Sequence, residues 1–170
     1  LGVDFMFKII ITTFFLLSFS LSCYAEITYF FNEFTNQKYA ISVSKRNKSD
    51  NSYKFPNTIA FRKELNSTNE NFKLFLMCSM SQNPSSLDKT NFKFDNIQII
   101  SITPNVDYNN SAPNPAAYDL DKEFIATLLR TNSLQIQIPL FTHDKAQIKY
   151  LEYTIPPPIL NEWKQVITME

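Results

Sequence analysis

Polar and apolar residues alternate over most of the chain, with the two-residue period that is typical of half-buried β-strands. The alternation predicts strands at residues 39–44, 58–62, 72–80, 92–103, 134–140 and 147–155, and residues 27–31, which are aromatic and β-branched, also favour a strand. In the segment 92–103 the apolar phase shifts twice, which predicts a bulge or bend in one long strand. The segment 104–118 is rich in proline and asparagine and is predicted to be a long irregular loop.

Two segments near the C-terminus have the spacing of amphipathic helices. The first begins at Asp119 or Asp121, either of which can cap it, and ends at about Asn132. The second follows three consecutive prolines, and Pro158 suits its first turn. We expect this helix to dock on the sheet through Trp163. Strands followed by late helices predict the α+β class: a largely antiparallel sheet of about six to eight strands, with two helices near the C-terminus packed on one side.

The order of elements from Asp119 onward resembles that of small bacterial periplasmic proteins of the invasion-associated locus B family. In both, a helix, a strand with apolar residues at alternate positions, a second strand and a final helix follow one another. The glycine and cysteine motifs of that family are missing here. The resemblance implies a similar architecture and carries no functional residue over to this chain.

The beginning of the chain has the order of a secretory signal peptide, with Met6 as the expected start and residues 1–5 as an extension. Lys8 supplies a positive charge, and the segment 9–21 is apolar except for threonine and serine. Small side chains then lead to Ala25. We therefore expect cleavage after Ala25.

Cleavage would leave residues 26–170 as a single exported domain of ordinary size. No second apolar stretch follows, so no membrane span is expected in the mature chain. The expected location is the periplasm. The alternatives are secretion into the medium and lipid anchoring through Cys23, which lies in a partial lipobox.

Composition excludes several classes of function. The 16 basic and 16 acidic residues balance, so the basic excess that binds nucleic acid is missing. After cleavage Cys78 is the remaining cysteine, and no internal disulfide is expected. Gly2 is the single glycine, so the mature domain has none of the glycine-dependent phosphate loops or nucleophile elbows. Asparagine is therefore expected at left-handed turn positions.

The sequence indicates no catalytic, metal or cofactor site. His143 is the single histidine and lies beside Asp144 in a predicted hairpin turn, without a serine in a nucleophile context. One histidine and one cysteine cannot supply three nitrogen or sulfur ligands to a metal. Asp119, Asp121 and Glu123 lack the spacing of a calcium loop and suit the start of a helix.

Aromatic residues are the remaining signal. Tyr29, Phe30 and Phe31 are consecutive in a predicted strand, so their side chains must point to both faces of the sheet. Such a strand is either buried on both sides or presents aromatic groups to a partner. The loop 104–118 adds further candidates, since tyrosine gives rigid contact area at a low entropic cost. The candidate protein-binding residues are Tyr108, Asn109, Tyr118, Tyr29 and Phe31.

These observations predict a small periplasmic or secreted protein-binding module without enzymatic activity, such as an inhibitor or an immunity protein. The expected partner is another protein, and no cofactor is expected. A structural or accessory component of an envelope or secretion assembly is the alternative. A hydrolase with a spatially paired carboxylate site is a second alternative, because such a pair leaves no mark in the sequence.

Overall fold

The computed structural model describes residues 25–45, 58–67, 70–77, 83–84, 88–106, 116–142 and 147–170. Within these ranges the chain forms two antiparallel sheets and two helices. The strands of the first sheet are β1 Ala25–Asn32, β2 Gln37–Lys45, β3 Thr58–Glu64, β4 Phe72–Met77, β8 Asn105–Val106 and β9 Ala116–Leu120. Those of the second sheet are β5 Asn83–Pro84, β6 Thr90–Phe94, β7 Gln98–Ile102, β10 Leu134–Thr142 and β11 Gln147–Thr154. The helices are α1 Lys122–Arg130 and α2 Pro157–Thr168.

The first sheet has the strand order β1-β2-β3-β4-β9-β8, and the second has the order β11-β10-β6-β7, with β5 paired to β10. This arrangement confirms the predicted α+β class, with mostly antiparallel strands and helices near the C-terminus. The strands divide between two sheets, where the sequence suggested one. Alternation identifies the faces of a strand but not the sheet to which it belongs.

The inner face of the first sheet forms one side of the core. Ser42, Phe61, Leu74 and Tyr118 are cross-strand partners in turn, and all four are buried. Helix α2 packs on this face above β1, β2 and β3. The indole ring of Trp163 stacks on Phe61 with 5.3 Å between ring centroids. Trp163 is therefore the anchor of the last helix, as predicted.

An aromatic cluster joins the second sheet to α1 and to the first sheet. The rings of Phe92 and Phe94 meet Phe124 edge to face, with centroid distances of 5.1 and 5.2 Å. Phe92 also meets Tyr118 edge to face at 5.5 Å. Such pairs contribute about 0.5–1.5 kcal/mol each beyond the area that they bury.

The strand β2 shows which half of an alternating pattern faces the core. Ser42 and Ser44 are buried, whereas Ile41 and Val43 are half-buried on the outer face. Small side chains suit this position, because α2 lies directly on β2. The Ser42 hydroxyl donates a hydrogen bond of 3.1 Å to Glu162 Oε2 on the helix.

The C-terminal end of α2 is capped by a buried cation. Lys63 Nζ on β3 donates to the carbonyl oxygens of Ile167 and Met169, at 2.8 and 2.6 Å. The last carbonyls of a helix lack partners within the helix and carry partial negative charge. The charge of Lys63 is thereby compensated, and the helix end is fixed to the sheet.

The prediction of one long strand over 92–103 is wrong. The segment forms a hairpin, because β6 pairs with β7 across a tight turn closed by Ile97 N and Phe94 O at 2.9 Å. Asp95 and Asn96 have positive φ angles of 45° and 59°, which reverse the chain without glycine. The first of the two phase shifts is this turn. The second lies within β7, where Ile99 is exposed and Ile100 and Ile102 are half-buried.

The predicted loop over 104–118 is also partly wrong. β8 occupies Asn105–Val106, and β9 begins at Ala116, so that Tyr118 lies within a strand. β9 has five residues, begins with two alanines and follows a proline, so the sequence shows little of its two-residue period.

The cap of α1 is Asp121, which was one of the two predicted caps. Its Oδ1 accepts a hydrogen bond of 2.8 Å from Phe124 N. The carboxylate of Asp119 instead pairs with Lys73 Nζ on the neighbouring strand, at 2.9 Å.

Several predicted features lie outside the described residues: the leader before Ala25, Cys78, Tyr108, Asn109 and His143. In the part of the chain that the structure describes, no helix has the length and apolarity that are needed to cross a bilayer.

Candidate protein-binding surface

Strand β1 is an outer strand of the first sheet, and no other described strand pairs with its second side. It is eight residues long, pairs with β2 in continuous register, and contains neither lysine nor proline. Charges, prolines, bulges and short lengths are the devices by which edge strands avoid pairing with other chains. β1 has one charged residue, Glu26, and is otherwise unprotected.

The other outer strands in the described ranges carry such devices. β8 is two residues long. β7 is five residues long and is followed closely by Pro104. β11 contains Lys149 and runs into Pro156. The contrast singles out β1 as the edge that is open to pairing.

β2 lies between β1 and β3, so its backbone groups point alternately to these two strands. This alternation identifies the residues of β1 that bond to β2. Lys38 O accepts a hydrogen bond of 2.8 Å from Leu65 N, on the side of β3. Successive residues of a strand direct their N–H and C=O groups to opposite sides, so the groups of Tyr39 point to β1. Tyr39 lies opposite Phe30, which therefore bonds to β2.

The alternate residues Ile27, Tyr29 and Phe31 then direct their N–H and C=O groups to the free edge. Their side chains share the inner face, since Ile27 lies opposite the buried Ser42. Ile27 packs against the core, and the Tyr29 hydroxyl donates to Met169 Sδ at 3.6 Å beyond the end of α2.

Four aromatic side chains on β1 and the turn after it are exposed. The exposed fractions are 69 % for Tyr29, 55 % for Phe30 and 47 % for Phe31, and Phe34 is fully exposed. We call these four residues the aromatic edge. Single exposed apolar side chains are common on soluble proteins, whereas several exposed aromatic side chains on one edge strand and its turn indicate an interaction site.

On the outer face, Phe30 belongs to a stacked row. Its ring stacks on Tyr39 with 6.4 Å between centroids. The guanidinium of Arg62 lies over the rings of Tyr39 and Phe75, at 4.5 and 5.1 Å from their centroids. This row holds Tyr39 in place beneath Phe30, so the outer part of the aromatic edge has a fixed support.

The turn between β1 and β2 presents Phe34. Asn32 Oδ1 accepts a hydrogen bond of 3.1 Å from Phe34 N, and Asn36 reverses the chain with a φ of 52°. Asn66 donates to the carbonyl of Asn36 and accepts from Lys38 N at 2.9 Å. The turn is therefore tied to the segment after β3, as asparagine at a left-handed position allows.

The structure separates the residues that the sequence proposed for binding. Tyr29 and Phe31 lie together on β1. Tyr118 has no exposed surface, and its hydroxyl lies 2.8 Å from Thr90 Oγ1, so it is a core residue and is left out of the surface. Tyr108 and Asn109 are outside the described residues.

Phe30 and Phe34 belong to the surface although the candidate set omitted them. The aromatic run from Tyr29 to Phe31, together with Phe34, had marked this part of the chain as one that could face a partner, although only Tyr29 and Phe31 were proposed as contacts. The remaining large exposed apolar side chains of the described part lie away from β1: Ile97, Ile99, Leu129 and Tyr150.

A groove of about 390 Å³ lies between α1 and the β6–β7 turn, with Asp95, Glu123 and Arg130 in its lining. Asp95 Oδ1 accepts from the backbone N–H groups of Asn132 and Ser133, at 2.9 and 2.8 Å. Desolvation acts to raise the pKa of Asp95, but these and the side-chain hydrogen bonds outweigh it and hold the pKa below the ordinary value of an aspartate. A carboxylate fixed in this way ties two loops together and is poorly suited to proton transfer.

Among the described residues, the half-buried carboxylate of Glu162 is the other group with a shifted pKa. Desolvation raises its pKa, and the hydrogen bond from Ser42 partly offsets the rise. Ser42 is fully buried, so this pair joins α2 to β2. Among the described residues, no group of three histidine, cysteine or acidic side chains could hold a metal ion.

Comparison with known proteins gives a likeness of fold. No protein-family model matches the chain, and no curated protein matches it. Among solved structures, the chain is similar to invasion associated protein B from Bartonella henselae, with a TM-score of 0.54 and 12 % sequence identity. The alignment covers 86 % of this chain and 92 % of that chain. The sequence suggested a similar order of elements for the C-terminal segment alone. The structural likeness covers most of the chain.

Proposed function

We propose that this chain is a small exported protein-binding module that recognises another protein through the aromatic edge. The observation that carries the proposal is the exposure of four aromatic side chains on one unprotected edge strand and its turn. Aromatic residues are enriched among the side chains that dominate binding energy at interfaces. Burying an exposed phenylalanine contributes about 1.5–3 kcal/mol.

The support beneath the aromatic edge favours binding by a preformed surface. Phe30 rests on Tyr39, and the hydrogen bonds of Asn32 and Asn66 hold the turn that carries Phe34. A surface that is ordered before binding loses less entropy when a partner docks. A preformed surface suits an inhibitor or an immunity protein, and the predicted leader supports export to the periplasm.

The proposal is tested with a double variant, Phe30→Ser with Phe34→Ser. The matched control is Ile97→Ser with Tyr150→Ser, which removes two exposed apolar side chains, one from the β6–β7 turn and one from β11. Each protein is immobilised, and the proteins that it retains from an envelope extract are compared by mass spectrometry. The affinity of any retained protein is then measured with purified components.

We expect a protein that is retained by the wild type and by the control but lost by the aromatic-edge variant. Its affinity should fall at least about tenfold, the effect of about 1.4 kcal/mol, while the melting temperature stays unchanged. Equal retention by both variants would contradict the proposal. Turnover of a glycan or peptide substrate by the purified protein would favour the hydrolase alternative instead.

A further inference from the structure

The free edge of β1 has the pattern of a strand that can pair with a copy of itself. Ile27, Tyr29 and Phe31 direct their backbone groups outward, as the pairing with β2 requires. In an antiparallel pair centred on Tyr29, each copy places Ile27 opposite Phe31 and Tyr29 opposite Tyr29. Each of these opposed pairs exchanges two backbone hydrogen bonds, so the two strands gain about six in all.

The charges of β1 favour the same register. Glu26 would lie opposite Asn32 of the second copy, whose amide can donate to the carboxylate. The two Glu26 carboxylates would be at opposite ends of the paired strands, about 20 Å apart. A register centred on Thr28 sets Ile27 opposite Tyr29, but the expected cleavage removes Ala25, which would lie opposite Phe31. It therefore gains only about four backbone hydrogen bonds, and it sets Glu26 opposite Phe30.

We propose that β1 pairs antiparallel with β1 of a second copy of the chain, centred on Tyr29, so that the two first sheets form one continuous sheet. The inference rests on the proposed function only in that both use the aromatic edge. Side chains stand above and below a sheet, so backbone pairing leaves Phe30 and Phe34 of both copies exposed. The dimer would thus present one aromatic surface larger than that of either copy.

The backbone pairing is tested by sedimentation of the purified protein, produced with its own leader, over a wide range of concentration. The wild type is expected to form a dimer as the concentration rises. Tyr29→Ala and Tyr29→Pro both remove the ring, but the proline also removes an N–H that points to the free edge. Tyr29→Pro should dimerise at least about tenfold more weakly than Tyr29→Ala, the effect of roughly one backbone hydrogen bond.

The register is tested by oxidation of cysteine variants and electrophoresis without reductant. Across the two-fold axis, the Cα atoms of position 29 would be about 5.5 Å apart, which a disulfide can bridge. Tyr29→Cys is therefore expected to cross-link the dimer. Glu26→Cys is the matched control, because its counterpart would lie far out of reach, and the unsubstituted chain with Cys78 gives the background.

A wild type that remains monomeric at the highest concentration would overturn the proposal, as would a Tyr29→Pro variant that dimerises as well as Tyr29→Ala. Equal cross-linking of Tyr29→Cys and Glu26→Cys would exclude the register. These measurements use the chain alone. Their failure leaves the proposed binding of another protein standing, whereas failure of the partner experiment leaves the dimer standing.

Discussion

At the scale of single residues, Trp163 shows how far a sequence pattern can specify a role. Its place on the apolar stripe of the last helix predicted a core anchor, and the ring is fully buried against Phe61. The pattern could not show that Trp163 Nε1 has no hydrogen-bond partner among the described residues. A buried donor without a partner lowers stability, so the ring contributes through packing alone.

The packed ring and the unpartnered N–H of Trp163 predict different effects for two substitutions. Trp163→Ala is expected to lower the free energy of unfolding by about 3–5 kcal/mol, because a large cavity opens over Phe61. Trp163→Phe keeps an aromatic ring and removes the unpartnered N–H, so it should cost less than half as much. Denaturant unfolding of both variants measures the difference. Similar losses for both would show that the indole nitrogen is bonded and that our account of this site is wrong.

Tyr118 shows where residue-level reasoning fails. Its position after a proline-rich segment suggested a loop, and an exposed tyrosine in a loop suits protein binding. The ring instead lies in the core, against Phe92 and beside Thr90. Its burial depends on the pairing of β9 with β4, a long-range contact that local composition does not encode.

At the scale of elements, the β6–β7 hairpin depends on its turn. Asp95 has a left-handed backbone, and its carboxylate also holds the connection between α1 and β10 through Asn132 and Ser133. Sequence periodicity detected the change of phase but assigned it to a bulge. A turn is distinguished from a bulge here by the positive φ angles of Asp95 and Asn96. Aspartate and asparagine tolerate positive φ but do not require it, so the sequence alone does not show the turn.

The lowered pKa of Asp95 predicts a pH dependence. A folded pKa below the unfolded value adds stability that is present above the unfolded pKa and is lost as the pH falls through the folded pKa. The free energy of unfolding should therefore decrease below about pH 4. Asp95→Asn keeps a residue that tolerates the turn but removes the charge, so it should be less stable near neutral pH and less sensitive to acid.

Unfolding by denaturant at several pH values checks this expectation. The control is Asp119→Asn, which removes a surface carboxylate that pairs with Lys73 and leaves the turn intact. If Asp95→Asn kept the acid dependence of the wild type, the hydrogen bonds around Asp95 would not be responsible for it.

At the scale of the whole molecule, the sequence predicted the α+β class and the order of most elements because strand alternation and helix caps are local signals. It did not separate two sheets or show that β1 lies at an edge. The run Tyr29-Phe30-Phe31 was compatible with a strand buried on both faces as well as with an exposed one. Only the strand order, with β1 outside β2, decides between them.

Export of the protein remains a proposal, because the predicted leader lies outside the described residues. Cleavage after Ala25 predicts a mature protein that begins Glu26-Ile27-Thr28. Mass spectrometry of the protein recovered from the cell envelope gives this terminus directly. An acylated terminus at Cys23 would instead place the protein on a membrane leaflet, and an intact leader would refute cleavage.

The most specific proposal is that two copies of the chain pair through the free edge of β1. Amide hydrogen exchange, resolved for single residues and recorded at low and at high protein concentration, tests it most directly. We expect the amides of Thr28 and Phe30 to be protected at both concentrations, since they bond to β2. The amides of Ile27, Tyr29 and Phe31 should become protected only at high concentration, when the second copy pairs with them. Exchange of Ile27, Tyr29 and Phe31 that does not change with concentration would contradict it.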